Sequence, residues 1–138
     1  MEAQELSNHI AFHRIVVAPT PVAPFSHAVE APPWLVLSGQ MPTDPADPDA
    51  ALPEGIEAQT VRVMENLRLV LRGVGLDLDA VVQCRAYLTH FERDYAAFND
   101  TYCTFFAPDR LPARTTVGVT ALAVGALVEV DCLARRPD

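Results

Sequence analysis

Lysine is missing from this chain. All ten basic residues are arginines, set against eighteen acidic residues for a net charge of −8. Schiff-base chemistry through a lysine is therefore excluded, and so is a lysine general base. Binding to phosphate backbones is disfavoured too, because it needs a basic patch. Arg62, Arg68 and Arg72 recur along one segment, but acidic neighbours dilute them. No apolar run reaches the roughly 18 residues of a membrane-spanning helix. No charged-then-apolar leader resembles a signal peptide. The cysteines, Cys84, Cys103 and Cys132, are odd in number and have no paired spacing. They read as reduced thiols of a soluble cytoplasmic protein, two buried and Cys103 the most exposed. His-x-His, Cys-x-x-Cys and His-Glu-x-x-His are all absent, so no metal site is expected. Glycines are few, and "RGVG" at 72–75 is a helix stop rather than a phosphate loop.

What is present suits one compact domain over residues 1–138, with 1–12 as a loose or strand-added leader. Half of the residues are apolar. A chain of this length buries roughly 68% of its unfolded surface, enough for a core without staples. "HRIVVAP" (13–19) reads as a strand ended by proline. The proline-rich "PTPVAPF" (19–25) must be extended. "SHAVEA" (26–31) and "WLVLSGQ" (34–40) read as strands joined by Pro32-Pro33, with Gly39 marking a bulge or a close approach. Residues 42–55 are a surface loop. In 56–75, Ile56, Val63, Leu67, Val70, Leu71 and Val74 recur as one helical stripe. In 80–89, Val82, Cys84, Ala86 and Leu88 alternate with Gln83, Arg85 and Tyr87, the pattern of a half-buried strand. Residues 93–107 form a second helix with an aromatic stripe of Tyr95, Phe98, Tyr102, Phe105 and Phe106. Residues 113–122 and 126–135 read as a pair of strands with hairpin geometry. The order predicts an α+β layer with helices on one face of a sheet. Glu129 and Asp131 share the other strand face, so that face is wet, met by cations, or covered by another subunit.

Few residues here can carry chemistry. The guanidinium of Arg114 is a rigid fork that suits a carboxylate or a phosphate. It either pairs with Glu129 or Asp131, or waits for an anion. Glu129 is the natural water activator if the site is catalytic. His27, alone in a strand, reads as a structural residue, and His90 as exposed.

The stretches "APTPVAPFSHAV", "LVLSGQMPTDP", "IEAQTVRVMENLRLVL", "FNDTYCTFF" and "LPARTTVGVTAL…GALVEVDCLA" follow one another over roughly residues 13 to 135. Together they resemble the RidA (YjgF) family of enamine/imine deaminases. The resemblance implies a chorismate-mutase-like α+β fold, a mixed sheet with two helices on one face, and a homotrimer with active sites between subunits. It implies hydrolysis of 2-aminoacrylate and related 2-imino acids to 2-oxo acids and ammonia, with no cofactor, no nucleic acid and no membrane partner. Arg114 then matches the carboxylate-binding arginine and Glu129 the residue that holds or activates water. Ser38, Gly39 and Asn99 match pocket positions. Phe25 stands where many members have tyrosine, Thr116 where several have cysteine, and Ala23 where glycine is common. Losing the tyrosine hydroxyl removes one hydrogen bond, about 0.5–1.5 kcal/mol. Other readings are a carboxylate-binding trimer without turnover, and a deaminase shifted to one pathway's substrate. The older family label of translation inhibitor or endoribonuclease is a further one, and the acidic charge argues against it.

Overall fold

The computed structural model describes residues 9–138. Six strands make one sheet: β1 (Ala11–His13), β2 (Ala28–Ala31), β3 (Trp34–Gln40), β4 (Val81–Leu88), β5 (Ala113–Gly118) and β6 (Val128–Arg135). The helices are α1 (Ile56–Gly73), between β3 and β4, and α2 (Phe91–Tyr102), between β4 and β5. Across the sheet the order is β1-β2-β3-β6-β4-β5. All pairings are antiparallel except β4 with β5.

That parallel pair corrects the expected hairpin between the last two strands. β4 lies between β5 and β6, and α2 carries the chain from β4 back to β5. A parallel neighbour needs such a crossover, because no tight turn can return the chain to the same end of the sheet.

α1 follows its apolar stripe. Val63, Met64, Leu67, Val70 and Leu71 are buried against Leu35 and Leu37 of β3, Cys84, Ala86 and Leu88 of β4, and the inward side of β6. Burying a leucine or valine side chain contributes about 1.5–3 kcal/mol. The helix stops where Gly75 turns to φ +81°. There the Gly75 and Leu76 N–H groups donate to the Arg72 and Leu71 carbonyls at 3.0 and 2.9 Å. Such a reversal needs a residue without Cβ strain. The helix arginines are neutralised locally: Arg68 by Glu65 and Asp77, Arg72 by Asp77, and Arg62 by Asp44.

On β6, Val128, Val130, Cys132 and Ala134 face the helices, while Glu129, Asp131 and Leu133 face away. β4 alternates likewise, with one correction. A register shift between Val81 and Gln83 buries Val81 and exposes Val82, the reverse of strict alternation. β3 covers the predicted 34–40, and its partners on β6 shift by one residue between Leu37 and Gln40. This bulge re-aims Ser38 and Gly39.

The strand expected over 13–19 is not formed. β1 ends at His13, and residues 14–19 turn away as a strap. Its backbone groups are satisfied elsewhere. The buried His27 accepts from the Ile15 N–H at Nδ1 (2.9 Å), and its Nε2 donates to the Pro19 carbonyl (2.7 Å). Two bonds from one imidazole hang the strap on the sheet, so His27 is structural. Of the twelve residues read as a leader, 1–8 lie outside the described residues, and Ala11 and Phe12 belong to β1.

Candidate functional site

The predicted site residues separate into two groups. Phe25, Ser38, Gly39 and Glu129 line one cavity of about 460 Å3, together with Val36, Arg85 and Asp131. Arg114 and Asn99 line another, of about 280 Å3, with Tyr102 and Cys103. A wider cavity of about 640 Å3 beside Asp77, Arg110 and Arg135 holds none of them.

Strand parity explains the separation. Arg114 stands beside Cys84 and Thr116 beside Ala86 in the parallel β4–β5 ladder. Cys84 and Ala86 are buried under the helices, so Arg114 and Thr116 share that face. Glu129 stands opposite Tyr87, on the open face. Within one chain the sheet divides the arginine from the glutamate. The expected pairing of Arg114 with Glu129 or Asp131 is therefore not made.

Arg114 is instead held by α2. Its Nη2 donates to Asn99 Oδ1 at 2.7 Å. Its Cζ lies 4.9 Å from the Tyr102 ring centroid and 5.4 Å from that of Phe98. The predicted aromatic stripe thus splits its work: Phe98 and Tyr102 fill the core and also floor the guanidinium. Burial pushes the Tyr102 phenol well above its ordinary value, so the ring stays neutral beneath the cation. Among the described residues, no carboxylate lies within ion-pair distance of Arg114. The Thr116 hydroxyl, two residues further along the strand, is buried with no protein partner.

On the open face, Glu129 fits against the β3 bulge. A Cβ built on Gly39 would fall 2.9 Å from Glu129 Cδ, so any side chain there would displace the carboxylate. Ser38 Oγ donates to the Ser26 carbonyl at 2.6 Å and ties the bulge to the segment 20–26 that carries Phe25. Burial pushes the Glu129 carboxyl above the ordinary carboxylate value, and the charge of Asp131 adds to the push. Asp131 itself accepts from Arg85 Nε at 2.9 Å and from the Tyr87 hydroxyl at 3.0 Å.

The sequence places Arg85 and Tyr87 on the polar side of a strand and offers Asp131 as a partner for Arg114, not for Arg85. Their convergence needs the β4–β6 pairing, which places Arg85 opposite Asp131 and Tyr87 opposite Glu129. Among the described residues, no cluster of three or more His, Cys, Asp or Glu side chains could hold a metal, and no helix is long and apolar enough to cross a membrane.

The comparisons agree with the fold. The family model described as Endoribonuclease L-PSP matches residues 15–136. A RutC family protein of Saccharolobus solfataricus, SSO3206, is 38% identical over 119 residues, covering 86% of this chain and 92% of that protein. Protein DfrA of Myxococcus xanthus is 44% identical over 121 residues, 85% of this chain and 88% of its own. The crystal structure of YyfA from Yersinia pestis, a protein of unknown function from the conserved Rid family, superposes with a TM-score of 0.85 at 33% identity, covering 92% of this chain and 99% of that one. With the mixed sheet and the two helices, these matches make the chain a member of the YjgF/RidA family.

Proposed function

We propose that this chain is an enamine/imine deaminase, hydrolysing 2-aminoacrylate and related 2-imino acids to 2-oxo acids and ammonia, in sites assembled between copies of the chain in a homotrimer. The single observation that carries the reading is the division of the site residues by the sheet. One face offers a fixed cation without a carboxylate, held by Asn99 and Tyr102. The other offers Glu129, a carboxylate of raised pKa, in a cavity walled by Phe25, Val29 and Val36. Each lacks what the other supplies. Val36 and Trp34 stand exposed on the open face, as an unmade interface would leave them.

In the joined site, Arg114 of one copy takes the substrate carboxylate through two parallel hydrogen bonds. The imine carbon then lies over Glu129 of the next copy. Glu129 takes a proton from water as the oxygen attacks the imine carbon and passes it to the imine nitrogen, giving the carbinolamine. Glu129 then takes the carbinolamine hydroxyl proton and delivers it to the nitrogen as the C–N bond breaks, releasing ammonia and leaving the 2-oxo acid. Each turnover consumes one water and one imine and yields one ketone and one ammonia. Positioning supplies most of the acceleration, because the imine is already reactive toward water. Phe25 contributes a ring but no hydroxyl, which favours imines with apolar side chains.

The test is a competition assay. An amino-acid oxidase or a dehydratase generates the imine, and semicarbazide traps it. The wild-type chain should suppress semicarbazone formation, and Arg114→Ala should not. Failure of the wild type to suppress the trap with any imine offered would refute the proposal. Full activity in Glu129→Gln would instead remove Glu129 from the chemistry and leave positioning by Arg114 to carry it.

A further inference from the structure

Glu129 is not alone on its face of β6. Asp131 lies two residues along the same face, about 7 Å away at the usual strand rise. Both of its oxygens are occupied, one by Arg85 Nε at 2.9 Å and the other by the Tyr87 hydroxyl at 3.0 Å. The two donors come from adjacent outward positions on β4, and Tyr87 also stands directly opposite Glu129. The pair of donors therefore holds one carboxylate at a set distance from another. A carboxylate needed only to hold Arg85 would not require the second bond.

We propose that Asp131 is a positioning residue for the chemistry at Glu129: clamped by Arg85 and Tyr87, it holds a negative charge that makes Glu129 a stronger base. This rests on the deaminase reading for its catalytic meaning, but not for its physical content. Within one copy the surroundings leave few other candidates; across the proposed interface, Arg114 of the neighbouring copy is the one further charge. The segment 20–26 brings Phe25, β3 brings Ser38 and Gly39, and the connection before β6 brings Ala123; none is charged. From β4 come only Tyr87 and Arg85. Arg85 lines the same cavity and offsets Asp131 only in part: its side chain is 61% exposed against 16% for Asp131, so water screens the cation more than the anion. The direction of the Glu129 shift agrees, with burial first and Asp131 second. A general base works best with a pKa near the operating pH, and a fixed neighbouring anion moves a carboxylate toward it.

The test uses the assembled protein in four forms: wild type, Asp131→Asn, Arg85→Gln and Asp131→Glu. The first readout is titration of the carbon-13-labelled Glu129 carboxyl by NMR, which needs no turnover. Asp131→Asn should lower its midpoint, Arg85→Gln should raise it, and Asp131→Glu should return it close to wild type. The second readout is the acid limb of the deaminase pH profile, which should move in the same three directions. A merely structural role would shift both single variants alike or move neither, and either result overturns the proposal. If the wild type shows no turnover, the deaminase reading fails and the NMR titration alone decides this one.

Discussion

If the active site joins Arg114 of one copy to Glu129 of the next, two dead variants should repair each other. Arg114→Ala removes the clamp, and Glu129→Gln removes the base. A charge-assisted hydrogen bond contributes about 1.5–3 kcal/mol, so the first variant should lose roughly 10–100-fold in kcat/KM. Loss of a general base typically costs about 100-fold or more. The two are then unfolded together in equal amounts and refolded, so that copies assort at random. Each site draws its arginine from one copy and its glutamate from a neighbour. The chance that both are intact is a half times a half, so about a quarter of wild-type activity should return, whatever the number of copies in the ring. The measurement is the competition assay on the mixture, against each variant refolded alone and against a simple mixture without unfolding. A refolded mixture no better than the average of its parents would refute the shared site, because a site within one chain gains nothing from mixing. A double variant mixed with wild type is the control, since assortment then brings no repair of the altered copies.

Other expectations follow from single contacts. Gly39→Ala pushes a methyl into the Glu129 carboxylate. It should depress activity far more than urea stability, and equal losses would contradict the close approach. Thr116→Val keeps the shape and removes an unpartnered buried hydroxyl. The melting temperature should hold or rise, and a fall in kcat/KM would show that the hydroxyl meets substrate. His27→Ala orphans the Ile15 N–H and the Pro19 carbonyl. At about 1–3 kcal/mol for each unsatisfied group, the loss should be plain in urea unfolding. The acid side has a sign of its own. The Arg136 guanidinium holds the Glu30 carboxyl below the ordinary carboxylate value. Its contribution is complete above that value and is lost as pH falls through the lowered one. Arg136→Ala should therefore narrow its stability gap to wild type as the medium is acidified, and a gap that widened would reverse the assignment.

Parts of this arrangement were legible in the residues and parts were not. The β3 span, the α1 stripe and the outward pairing of Glu129 with Asp131 come straight from periodicity, because each is decided within a single element. Residues 13–19 look like a strand by composition, yet Val16 and Val17 are exposed. There the strap answers to His27, a partner that no local pattern announces. Val82 was misplaced because a register shift in one strand is set by its neighbour. The division of Arg114 from Glu129 needed the most. Each strand's parity could be read alone, but which face of β5 matched which face of β6 depended on β4 lying between them. Long-range pairing decides that, and it leaves no periodic trace.

In the proposed shared site, a sheet that keeps Arg114 on one side and Glu129 on the other also sets the order of the reaction in protein. A folded chain by itself would carry two half-sites and turn nothing over. Turnover would rise with more than the first power of chain concentration until assembly is complete, then become proportional to it. Dilution would switch the activity off without unfolding anything, and a newly made chain would stay inert until it met its own kind.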